Sequence, residues 1–124
     1  MEVVHSDKAP KALGPYSQAI VANGFVFASG QVPIDPATGE FAEGGIAEQT
    51  RQSLTNVTHV LAAAGTDLSH VVKTTVYLSD MANFAAMNEV YATFFSEPYP
   101  ARSAVAVKTL PKNALVEVEV VAAL

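Results

Sequence analysis

The chain has 124 residues, half of them apolar and only 15% charged, with a formal net charge of −5 and no cysteine. The missing cysteines exclude disulfides, a thiol nucleophile and a cysteine-ligated zinc, and a negative field without a basic run repels nucleic-acid phosphates. This length fits one domain, residues 1–124, with a core that needs no covalent staple.

An average domain carries about 25% charged residues, so a small protein with so few implies that other subunits cover part of its surface. The chain opens without a basic-then-apolar leader and holds no run of about 20 apolar residues, so a cytoplasmic location is expected.

In chain order, residues 7–18 form a lead-in punctuated by proline and glycine. Asn23 and Gly24 separate two short apolar runs, Ala19–Ala22 and Phe25–Ser29, and supply the positive φ angles of a tight hairpin. Gly30 ends the second strand, and residues 33–39 read as a loop. Residues 46–64 read as a helix with Thr50, Leu54, Val57, Leu61 and Ala64 on one face and Gly65 as its stop. Residues 71–78, rich in valine and threonine, read as a strand whose core face is Val72, Thr74, Val76 and Leu78. Residues 83–95 read as a second helix with Phe84, Met87, Tyr91, Phe94 and Phe95 inward, closed by Pro98 and Pro100. Two further strands follow at 102–107 and 115–123, parted by a turn at 110–113.

The order ββαβαββ predicts an α+β fold with both helices on one face of a single sheet. Alternation then assigns the faces. Val116, Val118 and Val120 share one side of the last strand, Glu117 and Glu119 the other. In the preceding strand Ser103, Val105 and Val107 alternate with Arg102, Ala104 and Ala106. With the valines toward the helices, Arg102, the alanines and the two glutamates are expected together on the opposite face. That face is too polar for a core and suits a pocket or an interface.

The segments GPYSQAI (14–20), FASGQVP (27–33), QTRQSLTNV (49–57), VKTTVYLSDMANFAAMNEVYATFF (72–95), PARSAV (100–105) and LPKNALVEVEVVA (110–122) resemble the RidA/YjgF family of reactive-intermediate deaminases. The similarity runs from about residue 5 to the C-terminus with nearly matching spacing. It implies a chorismate-mutase-like fold and a homotrimer with its sites between subunits. It also implies cofactor-independent hydrolysis of 2-imino acids or their enamine tautomers, such as 2-iminobutanoate and 2-iminopropanoate, to 2-keto acids and ammonia. By the same resemblance Arg102 binds the substrate carboxylate and Glu117 positions the attacking water. Tyr16, Ser29, Gly30 and Asn88 line the site. Ala104 stands where many members carry cysteine; its main-chain groups can serve, and thiol-dependent behaviour is not expected. The 96–99 segment is shorter than in many members and bears on substrate range.

The chemistry is coherent. Guanidinium offers a carboxylate two parallel donors, whereas a structural reading pairs Arg102 with Glu117 or Glu119. An imine carbon is already electrophilic, so a modest base suffices for water, with Glu119 the competitor to Glu117 on the same face. Tyr16, after Gly14 and Pro15, is read as an aromatic wall, and Ser29 and Gly30 as hydroxyl and N–H donors. Asn88 either lines the site or ties helix to strand, and Tyr91 and Phe94 read as core. The three histidines lack metal-ligand spacing, and no serine-hydrolase elbow or phosphate cradle is present. Two rival functions are a non-catalytic small-acid-binding or chaperone-like trimer and an endoribonuclease or translation inhibitor. Retention of both Arg102 and Glu117 argues against the first. The negative charge and the lack of a basic-aromatic platform argue against the second.

Overall fold

A computed structural model describes residues 1–124. Six strands form one sheet, β1 (Glu2–Val4), β2 (Ala19–Ala22), β3 (Phe25–Ala28), β4 (Val71–Leu78), β5 (Ala101–Ala106) and β6 (Val116–Ala123). Their spatial order is β1-β2-β3-β6-β4-β5, with only the β4–β5 pair parallel. Helices α1 (Ile46–Ala63) and α2 (Phe84–Phe94) pack on one face, giving the expected α+β architecture. β6, the last strand made, inserts between β3 and β4, so α1 crosses over one intervening strand and α2 connects direct neighbours.

Local chemistry places these elements. The β2–β3 hairpin turns on Asn23 (φ 53°) and Gly24 (φ 80°), the two positive φ angles that a tight primed turn requires. At the start of α1 the Glu48 carboxylate accepts from the Gly45 N–H at 2.8 Å, satisfying one of the end's orphan donors. The helix face read from sequence is the buried one for Thr50, Leu54, Val57 and Leu61. It meets Val26, Val76, Leu78, Val116, Val118 and Val120, which are also buried, so the valines of β6 do face the helices.

Four expectations need correction. The N-terminus adds β1, three residues paired with β2, too short for alternation to reveal. In β4 a register shift between Val71 and Lys73 buries Val71 and leaves Val72 45% exposed, so Val72 is not on the core face. Residues 81–83 form a separate 3₁₀ turn, opened by the Asp80 side chain accepting from the Ala82 N–H, and α2 starts only at Phe84. The fourth correction concerns Arg102. β5 pairs with β4 so that Arg102 lies beside Thr74 and Ala104 beside Val76, both buried on the helix side. Arg102, Ala104 and Ala106 therefore share the helix face, and Ser103 and Val105 share the open face with Glu117 and Glu119. β5 is an edge strand that the helices barely cover; Val105 is 44% exposed, so its valine does not mark the core side.

Candidate active site

The residues singled out from sequence fall into two groups on opposite faces of the sheet. On the helix face, at the β5 edge, are Arg102, Asn88 and Ala104. The Arg102 Nη1 donates to Asn88 Oδ1 at 2.6 Å. Its Cζ lies 4.7 Å from the Tyr91 ring centroid and 5.4 Å from that of Phe84. Phe84, Asn88 and Tyr91 follow at i, i+4 and i+7 on α2 and so present one stripe. Tyr91 is fixed by a 2.9 Å hydrogen bond with the Thr74 hydroxyl and by stacking on Phe95 at 4.5 Å. Aromatic faces and one amide oxygen thus aim a planar cation whose remaining donors face a cavity of about 440 Å³ between α2 and the 99–102 segment, where Tyr99 also stands.

The chain's only ion pairs are His5 with Asp7 and His70 with Asp67, so Arg102 has no carboxylate within 4 Å and is not a structural salt bridge. Asn88 resolves both ways at once: it lines the cavity and ties helix to strand through Arg102. Tyr91 is buried, as expected, yet it also orients the guanidinium. Its spacing from Asn88 is the signal that could have revealed this second role. Ala104 is partly buried against the core, two residues along β5 from Arg102.

The second group lies across the sheet. Glu117 projects from β6 onto the open face opposite Tyr77, and the 29–31 segment crosses beside it. A bridge between Gln31 and Val118, with N–H to carbonyl bonds of 2.8 and 3.2 Å in both directions, pins that segment. Asn56 of α1 reinforces it by donating to the carbonyls of Val32 and Ile34. Gly30 lets the Glu117 carboxylate lie against the backbone here, and a Cβ at this position would displace that side chain. No protein group accepts the Gly30 N–H. Burial pushes the Glu117 carboxyl above its ordinary range, and the neighbouring Glu119 charge adds to the rise.

Tyr16 is 55% exposed and lines a cavity of about 240 Å³ with Gly30, Gln31, Lys11 and Lys112. Its loop is held by the buried Gln18 side chain, which accepts from the Ser6 N–H and donates to the carbonyls of Ser6 and Pro10. The Ser29 hydroxyl donates to the Ser17 carbonyl at 2.6 Å and its N–H to the Gln18 carbonyl. Both donors are spent on holding the Tyr16 loop, leaving Gly30 as the free donor. No group of three metal-ligating side chains exists, and no helix is long and apolar enough to cross a membrane.

A bidentate cation set in a small cavity, and a carboxylate of raised proton affinity beside a free N–H, are parts suited to a small organic acid rather than to a polymer. Comparisons with known proteins give the family. The family model described as Endoribonuclease L-PSP matches residues 6–124. A RutC family protein of Pyrococcus horikoshii is 56% identical, with 98% of this chain and 96% of that one aligned. The 2-iminobutanoate/2-iminopropanoate deaminase of Bos taurus is 45% identical over 98% of this chain and 88% of its own. The crystal structure of E. coli TdcF with bound serine superposes with a TM-score of 0.95 at 40% identity, covering 100% of this chain and 99% of that one. This chain belongs to the RidA/YjgF family, whose members include reactive-intermediate deaminases.

Proposed function

We propose that this protein is a cofactor-independent deaminase that hydrolyses 2-imino acids, such as 2-iminobutanoate, to 2-keto acids and ammonia. The observation that carries this reading is the Arg102 guanidinium, which is held by Asn88 and two aromatic rings, is free of any carboxylate partner and opens on a cavity. Two parallel N–H donors match a carboxylate and fix the plane of the adjoining C=N.

Glu117 supplies the second requirement. A carboxylate with raised proton affinity is a stronger base near neutral pH. It takes a proton from water as the oxygen adds to the imine carbon. The proton passes to nitrogen, and the carbinolamine collapses to the ketone as ammonia leaves. The Gly30 N–H is placed to hold the substrate or the attacking water on that side.

Arg102 and Glu117 lie on opposite faces of their own sheet, so one copy cannot bring both to one small substrate. The open face carries Phe25, Phe27, Tyr77 and Val105, apolar area suited to cover by another subunit. We therefore place the working site between copies, Arg102, Asn88 and Ala104 coming from one and Tyr16, Gly30 and Glu117 from the next. A homotrimer is the assembly we propose, in the cytoplasm.

The test generates 2-iminobutanoate in situ from threonine with a dehydratase and follows its conversion to 2-ketobutyrate. Acceleration by the wild type and none by Arg102→Ala is expected. A folded oligomer that leaves the decay rate unchanged would remove the deaminase reading and restore that of a binding trimer. The name of the matching family keeps an endoribonuclease reading in view. The charge of −5 opposes it, and salt-dependent RNA cleavage lost in Arg102→Ala would reinstate it.

A further inference from the structure

The open face carries a second acidic residue for which the proposed chemistry has no use. Glu119 follows Glu117 by two positions on β6, so both carboxylates project from the same side about 6.6 Å apart along the strand. Tyr77 on β4 lies directly opposite Glu117, yet its hydroxyl donates diagonally to Glu119 Oε1 at 3.0 Å. The phenol therefore spans the two glutamates and fixes the farther one. We propose that Glu119, held by Tyr77, is a positioning residue that keeps a fixed negative charge beside Glu117 and so sets the proton affinity of the general base.

This rests on the reading of Glu117 as that base. The other groups facing Glu117 leave the role to Glu119. On β4 the only further titratable group of the open face is Lys73, whose Nζ donates to Ser103 Oγ at 3.0 Å. β5 presents Ser103 and Val105, β3 presents Phe25 and Phe27, and the 29–31 segment presents Gly30. The bond to Glu119 also raises the proton affinity of Tyr77, with burial adding to it, so the phenol stays a donor through the neutral range. An Arg102 brought in by a second copy lowers the proton affinity of Glu117, but it does so in wild type and variants alike.

The experiment compares wild type, Glu119→Gln and Tyr77→Phe in two readouts. One is the titration midpoint of the Glu117 carboxyl carbon by NMR. The other is the acid limb of kcat/KM against pH with 2-iminobutanoate. Removing a unit charge at this distance should lower both by at least about half a pH unit in Glu119→Gln. Tyr77→Phe frees Glu119 to move and should lower both in the same direction by less. A rate that falls equally at every pH, with the midpoint and the limb unmoved in Glu119→Gln, overturns the proposal by showing a structural role only. A shift in Glu119→Gln with none in Tyr77→Phe overturns the part assigned to Tyr77. Should Glu119→Gln fail to fold, Glu119→Ala, which also removes the charge, takes its place and is read in the same way. A wild type without hydrolysis sinks the deaminase reading, and the NMR midpoints still decide the coupling.

Discussion

The arginine pocket and the glutamate face are built from the same sheet by opposite means. Arg102 is placed by side chains: three residues of α2 grip it at an edge where the backbone leaves it exposed. Glu117 is placed by backbone: strand alternation points it outward, and a glycine beside it leaves room for the carboxylate. The first can tolerate loss of one contact, because several share the work. The second is more sensitive, since one added methyl group takes the carboxylate's present space and moves it. In the proposed site, damage to the glutamate half should therefore cost catalytic power and damage to the arginine half should cost substrate hold.

That division orders the expected effects. Glu117→Gln should cost most, roughly 10²–10⁴-fold in kcat, the usual worth of a general base. Glu119→Gln should cost far less at its own pH optimum; a larger loss at 119 would exchange the two roles. Arg102→Ala should lower kcat/KM at least about tenfold through the lost charge-assisted hydrogen bonds, and Arg102→Lys should not rescue it fully, since the fork is lost. Mixing the two inactive variants, refolded together, sharpens the contrast. If each site takes its arginine and its glutamate from different copies, about a quarter of the sites regain both in an equal random mixture. No recovery would place both residues of a site in one copy. Gly30→Ala should reduce kcat about tenfold with little change in KM, because it moves the base and not the carboxylate anchor.

The same contrast explains what could be read beforehand. Alternation in VEVEV located Glu117 and Glu119 correctly because β6 is central, and its Val116, Val118 and Val120 are all buried. The rule failed one strand away. At the edge, valine and alanine are both exposed, so Val105 carries no inward preference and the parity of Arg102 was inverted. Similarly, the shift in β4 exchanged Val72 for Val71, since two adjacent valines satisfy either register. Asn23 and Gly24 fixed the first hairpin because only a few residues accept their φ angles. The bond from the Ser29 hydroxyl to the Ser17 carbonyl was not legible, because that carbonyl belongs to a strand approach that composition does not reveal. That Arg102 and Asn88 belong to one site came from family likeness alone; the hydrogen bond between them appears only with α2 in place.

The smallest expected effect is on stability, and its sign separates catalytic from structural glutamates. The Glu117 carboxyl has its proton affinity raised by burial and by Glu119, so the folded state binds more protons than the unfolded one. Stability contributed by this group therefore falls as pH rises from the unfolded carboxyl value, about 4.3, through the raised folded value. Above that window the ionised side chain is a net cost. Glu117→Gln should then raise Tm slightly at neutral pH, and the advantage should vanish below about pH 4, where both forms are neutral. Melting curves at the two pH values, run beside the activity assay, check it. An inactive variant that is equally or more stable at neutral pH marks a residue kept for chemistry against its own folding cost. A variant that melts lower there would show that Glu117 holds the open face together, and the loss of activity would then report structure rather than a missing base.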